Sequence, residues 1–247
     1  MQLVNWLHQT NRWAESIPLL EPIVRDWPDN MHYRTLLMVA YHHSQRPEQL
    51  ADFVRQTDAH FHTAGRWTEG NIAQFARGCL SCGLHEKAVG YFNEAIALHQ
   101  RNNPSSGAGD GTLSDLYQHL ASSQSALGHT KEAVDAASAA IVSWGPHHHQ
   151  RGNSIGSLNQ VLKDAKDLDE YVKHLDAEAA KTGQDSPILR KAIGQTYQSR
   201  NEHAKAIAQL QLAADLQPHD KEVHQALSSC FVAAALFCVA SKQMMSA

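Results

Sequence analysis

Seven large apolar residues recur along the chain at intervals of 34 to 45 residues, and few folds accommodate such a repeat. They are Leu3, Leu37, Phe75, Leu120, Leu158, Ile193 and Leu227. Thirteen residues after each stands Ser16, Leu50, Ala88, Ala133, Tyr171, Ala206 or Ala240, a mostly small column. Four residues further comes a second apolar column: Leu20, Val54, Phe92, Ala137, Leu175, Leu210 and Met244. Successive copies are separated by 34, 38, 45, 38, 35 and 34 residues. A unit of this length is one supersecondary structure that cannot bury its apolar face alone, so copies must stack.

The clearest copy, Pro187 to Pro218, contains Ile193-Gly194, Tyr197, Ala206, Leu210, Ala213 and Pro218. Small Gly194 and Ala206 let two antiparallel helices touch, Tyr197 and Leu210 fill the gaps between them, and Asn201 supplies the turn. Asp185-Ser186-Pro187 reads as a helix N-cap followed by a helix-opening proline, and Gly83 and Gly128 mark equivalent turns. These spacings resemble the tetratricopeptide repeat, L-G-x2-Y, A-x3-F, A, P.

The resemblance implies an all-α, right-handed α-α superhelix, a TPR-like solenoid of antiparallel helix pairs spanning residues 1–247. Its approximate repeats are 1–30 (partial), 31–64, 69–102, 114–147, 152–185, 187–220 and 221–247 (partial). The 152–185 copy is degenerate: Tyr171 replaces the small anchor, Asn159 the glycine, and Glu178 an alanine. Its helices are expected to sit further apart. The segment 102–112, rich in turn formers, reads as a loop between repeats. The register starts and stops inside repeats, so the chain reads as a piece of a larger bacterial-type tetratricopeptide protein. The run Phe231 to Ala240 stays apolar across the turn expected at Ala235, and an uncapped solenoid end predicts self-association there.

Composition narrows the function. Lys and Arg total 21 against 25 Asp and Glu, a formal charge of −4 without a basic block, which disfavours nucleic acid. The longest apolar run, 230–240, is too short to span a membrane. The first ten residues lack a secretory pattern, and four cysteines are too few to staple the chain, so a cytoplasmic location is expected. Cys79 and Cys82 have redox or half-zinc spacing, but Cys79 falls in the core tyrosine column, and both read as packing residues. The cluster His147-His148-His149 and the pairs His42-His43 and His60-x-His62 lack a partner spacing that would complete a metal site. No phosphate loop or nucleophile motif appears, so neither an enzyme nor a cofactor is expected.

By resemblance, the first helix of each pair lines a concave binding face. Counting from the apolar column puts Arg77, Gln118, Ser122, Gln160, Lys163, Lys191, Gln195 and Gln198 on it. Members that clamp the C-terminal carboxylate of chaperones share a lysine and asparagine pair, a second asparagine and a further basic pair over three repeats, and this chain lacks that set. Glutamine amides both donate and accept, so the expected ligand is an extended or helical segment of a partner protein, and the chain an interaction scaffold. The alternatives are a regulatory or sensory domain of a larger enzyme and a helical-repeat RNA binder. Acidic balance and variable repeat length oppose the latter.

Overall fold

The computed structural model describes residues 2–104, 109–144 and 151–245, with side chains over 2–104, 109–144 and 152–235. The described residues form thirteen α-helices and no strand. The first pair is α1 (Gln2–Gln9) and α2 (Trp13–Asp26), the second α3 (Met31–His43) and α4 (Pro47–Thr63), the third α5 (Glu69–Ser81) and α6 (His85–Asn102). Next come α7 (Gly111–Ala126) with α8 (Thr130–Trp144), α9 (Arg151–Asp164) with α10 (Leu168–Thr182), and α11 (Pro187–Ser199) with α12 (His203–Leu216). A single helix, α13 (Lys221–Met245), follows.

First and second helices begin differently. Four first helices open with a side-chain cap: Asn30, Thr68, Asp110 and Ser186 accept from the backbone N–H of Tyr33, Asn71, Leu113 and Leu189. Such caps satisfy amides that the first turn leaves without carbonyl partners. Second helices instead follow a shared turn. Asn11, Gln45, Gly83, Gly128 and Asn201, each five residues before its anchor, adopt positive φ between 56° and 79°. The next residue's N–H reaches back to the carbonyl of Leu7, Tyr41, Cys79, Gln124 or Tyr197 at 2.8–3.0 Å. That six-to-one bond is the Schellman closure, which reverses the chain in three residues.

The core follows the columns. Leu37, Phe75, Leu120, Leu158, Ile193 and Leu227 are buried, as are Ser16, Leu50, Ala88, Ala133, Tyr171 and Ala206. A Cβ on Gly194 would lie 2.6 Å from Leu210 Cγ, so closeness of α11 and α12 requires glycine there. First helices touch along the array, α3 with α5, α7 with α9 and α9 with α11. α9 and α10 approach each other far less closely than α7 and α8, as the bulk of Tyr171 predicts.

Two expectations need correction. Leu3 is exposed, and Val4 and Leu7 are buried instead, on a helix that packs against α2. The turn expected at Ala235 does not form: α13 runs through it unbroken. Ala233-Ala234-Ala235 offers no glycine or asparagine to enter the left-handed region, and alanine is the strongest helix former.

Candidate partner-binding face

The eight residues singled out from the sequence all lie on first helices: Arg77 on α5, Gln118 and Ser122 on α7, Gln160 and Lys163 on α9, and Lys191, Gln195 and Gln198 on α11. Ser122, Gln160 and Lys163 are exposed and the other five partly buried. First helices touch sideways, so these residues stand on neighbouring helices as a polar strip whose exposed members are Ser122, Gln160 and Lys163.

Two recesses open along α7 and α9. One, of about 510 Å3, is lined by Gly111, Thr112, Asp115, Gln118, Trp144 and Asn153. The other, of about 420 Å3, is lined by Ser122, Ser125, Ala126, Ser157, Gln160, Val161 and Asp164. Gln118, Ser122 and Gln160 therefore converge on neighbouring recesses, while Arg77, Lys163 and the three α11 residues lie outside both. The floor is tied together from beneath. Buried Ser114 Oγ donates to the Ala140 carbonyl at 2.9 Å and lies 3.1 Å from Ser154 Oγ, joining α7, α8 and α9.

Two of the three cations are committed within the fold. Arg77 of α5 bonds Asp115 of α7, whose carboxylate also faces His119 Nε2 at 3.4 Å. Hydrogen bonding from His119, with Arg77 adding to it and burial opposing, holds the Asp115 carboxyl at about 2. Lys191 Nζ sits 2.6 Å from Glu222 and 3.2 Å from Asp220. Burial works against the Lys191 charge, but the bonds to Glu222 and Asp220 outweigh it and raise its pKa. Gln160 Nε2 donates to Asp164 at 2.8–2.9 Å.

Asp115, Trp144, Asn153, Ser157 and Asp164 line the recesses without having been singled out beforehand. Helical spacing could have found two of them, since Asp115 precedes Gln118 by three residues and Asp164 follows Gln160 by four. Trp144 ends a second helix, where counting along first helices does not reach.

The other candidates behave as packing residues or lie elsewhere. Cys79 and Cys82 are buried free thiols, and burial pushes both up to about 12, so neither supplies a thiolate at neutral pH. Among the described residues no group of three or more His, Cys, Asp or Glu is arranged to hold a metal ion. His147, His148 and His149 lie outside the described residues. No described helix is long and apolar enough to cross a membrane.

Paired helices, a recurrent left-handed turn residue and aligned small and apolar columns define a tetratricopeptide-like helical-repeat protein. No protein-family model and no curated protein matches the chain. Among solved structures it is similar to the kinesin light chain TPR-like repeats of Podosopora anserina, at 18% identity and a TM-score of 0.47, covering 77% of this chain and 98% of that one. It is also similar to the C-terminal part of a TPR repeat-containing protein from Cytophaga hutchinsonii, at 13% identity and 0.37, over 92% and 98% of the two chains. The TPR2AB domain of yeast Sti1, in its pHSP90 complex, matches at 11% identity and 0.30, over 92% and 95%. At these values the fold rests on the hairpins themselves, and no site or partner transfers.

Proposed function

We propose that this chain is a non-catalytic interaction scaffold that holds an extended or helical segment of a partner protein against the first-helix face. The observation that carries the reading is the pair of adjoining recesses between α7 and α9, lined by Gln118, Ser122 and Gln160. Amides and hydroxyls there satisfy both the N–H and the C=O groups of a peptide backbone. With Arg77 and Lys191 already paired, the face selects a neutral or weakly basic segment over a phosphorylated or carboxylate-terminated one. Lys163, Gln195 and Gln198 extend the same strip along α9 and α11.

The test is a peptide array probed with the purified chain, followed by titration of the strongest binders against the Gln160→Glu, Gln195→Glu double variant. We expect the helical circular dichroism to be unchanged and binding to fall about tenfold, or about 1.4 kcal/mol. Unaltered affinity would move the interface off this face. We further propose that copies of the chain associate through the C-terminal end, where Phe231 and Val232 are 53% and 58% exposed.

A further inference from the structure

The last helix is half of a hairpin. Nine residues before five of the six earlier anchors stand buried Leu7, Tyr41, Cys79, Leu162 and Tyr197, and before the sixth the partly buried Gln124. Two of them visibly meet the second helix of their own pair: Tyr41 is edge-on to Phe53 of α4 at 5.9 Å, and Lys205 of α12 lies over Tyr197 at 5.3 Å. Phe231 holds the same repeat position on α13 and is 53% exposed. The first part of that helix is seated, because Val223, Leu227 and Cys230 are buried where α13 meets α12. On α12, Leu216 is 44% exposed, whereas its repeat counterpart Leu98 packs against the core. What Phe231 lacks is the second helix of its own repeat.

The chain itself encodes that helix. Ala240 and Met244 continue the small column and the second apolar column in register. Yet the segment cannot reach its own slot, because α13 extends straight through Ala235, five residues before the anchor. At that position five other repeats place Asn11, Gln45, Gly83, Gly128 or Asn201 in the left-handed conformation that reverses the chain. A second-helix sequence held away from its slot by a missing turn is the arrangement that exchanges between identical chains.

We propose that two copies of the chain exchange the distal halves of α13, each 236–245 segment completing the last hairpin of the other copy over Phe231. The occupant is a second copy because the segment carries the repeat's own register and its own chain supplies no turn. The exchange rests on the C-terminal association proposed above and is independent of the first-helix ligand face. A symmetric pair closes on itself, so it gives a dimer and not a filament.

Light scattering of the full chain at about 50 µM tests both layers. The expected mass is twice the 27.3 kDa of one chain. Replacing the missing turn residue, Ala235→Gly, lets the segment fold back over its own Phe231, and a monomer is expected with helicity retained. Phe231→Glu removes the docking contact and is also expected to give a monomer. A wild-type monomer overturns the association and the exchange together. A dimer that survives Ala235→Gly but is lost with Phe231→Glu overturns the exchange and leaves a face-to-face contact standing. A dimer insensitive to both variants moves the interface away from α13. Should Ala235→Gly aggregate, Ala235→Asn supplies the turn with the residue already used at position 201, read by the same mass.

Discussion

A glycine inside a helix is a requirement or a weakness according to what faces it. Gly194 sits against Leu210, whose γ carbon would be 2.6 Å from an added Cβ, while Gly90 of α6 has nothing within 4 Å. Overpacking costs roughly 1–3 kcal/mol, and relief of glycine's helix penalty returns about 1 kcal/mol. Gly194→Ala should therefore destabilise, and Gly90→Ala should stabilise by about 1 kcal/mol, as urea unfolding of the two variants will show. That contrast is half visible in the sequence, since Gly194 falls in the tetratricopeptide glycine position and Gly90 does not. Buried arginines are less visible. Arg190 is 1% exposed, donating to Asp185 at 2.8–2.9 Å, to Asp176 at 2.5 Å and to Gln209 at 2.8 Å. A charged residue reads as surface until its position is counted: Arg190 and Arg34 both stand sixteen before their anchors, where other repeats have Ile72, Tyr117 and Ile155. Arg34 is buried too, between Phe53 and Phe61, with Thr57 as a partner at 3.1 Å. Arg190→Met keeps the volume but strands Gln209 and Asp185, and a loss of about 2–4 kcal/mol in thermal or urea unfolding is expected.

Helix ends are where the longest insertion is controlled. The 45-residue interval between the third and fourth anchors contains a loop whose glycine and serine content gives no register of its own, so the sequence places α7 only by counting back from Leu120. His99, near the end of α6, resolves it. Its Nδ1 lies 2.8 Å from Glu69, the first residue of α5, and its Nε2 lies 2.7 Å from Asp110, the N-cap of α7. The amides of Gly109 and Asp110 also donate to the Ser143 carbonyl at 2.8 and 3.0 Å. Both ring nitrogens face carboxylates, so both must donate, which only the imidazolium can do. Burial opposes the charge, but Asp110 and Glu69 outweigh it and raise the His99 pKa. A histidine with a raised folded-state pKa contributes stability that is complete below the unfolded value, near 6.5, and lost as pH climbs through the folded one. His99→Gln should therefore be less stable than the parent by about 1.5–3 kcal/mol at pH 6, with the gap narrowing by pH 9. A gap independent of pH in denaturant titrations would mean that the imidazolium is not what holds α5, α6 and α7 together.

At the scale of the array, the described hairpins differ in how closely their two helices pack. The hairpins α5/α6, α7/α8 and α11/α12 close over small residues, Ala88, Ala133 and Ala206. The α9/α10 pair has Tyr171 at that place, and its helices stand apart. Leu168, Tyr171 and Val172 are still buried, and its neighbours add hydrogen bonds. Thr130 of α8 bonds Asp167, Tyr197 Oη donates to Asp169 at 2.7 Å, and Lys205 Nζ reaches Asp169 at 2.6 Å. Arg200, just past α11, donates to the carbonyls of Leu162, Lys163 and Ala165 at 2.7–3.2 Å, satisfying groups that the end of α9 leaves open. The degenerate pattern in the sequence announces the loose pair, but not this clasp, because its partners are 28 to 38 residues apart and meet through polar side chains and backbone carbonyls that the apolar columns do not track. In a solenoid each repeat is stabilised by its neighbours alone, so the weakest interface sets where the array opens first. Native-state hydrogen exchange should find the amides of α10 least protected among the interior helices and those of α7 and α8 most. Asp169 and Lys205 are 57% and 46% exposed, and salt screens such pairs. Raising sodium chloride to about 1 M, where the screening length is about 3 Å, should lower α10 protection while leaving α7 and α8 unchanged. Uniform protection across all five interior pairs would mean that the clasp couples α10 as firmly as apolar packing couples the rest, and the array would then unfold as one unit.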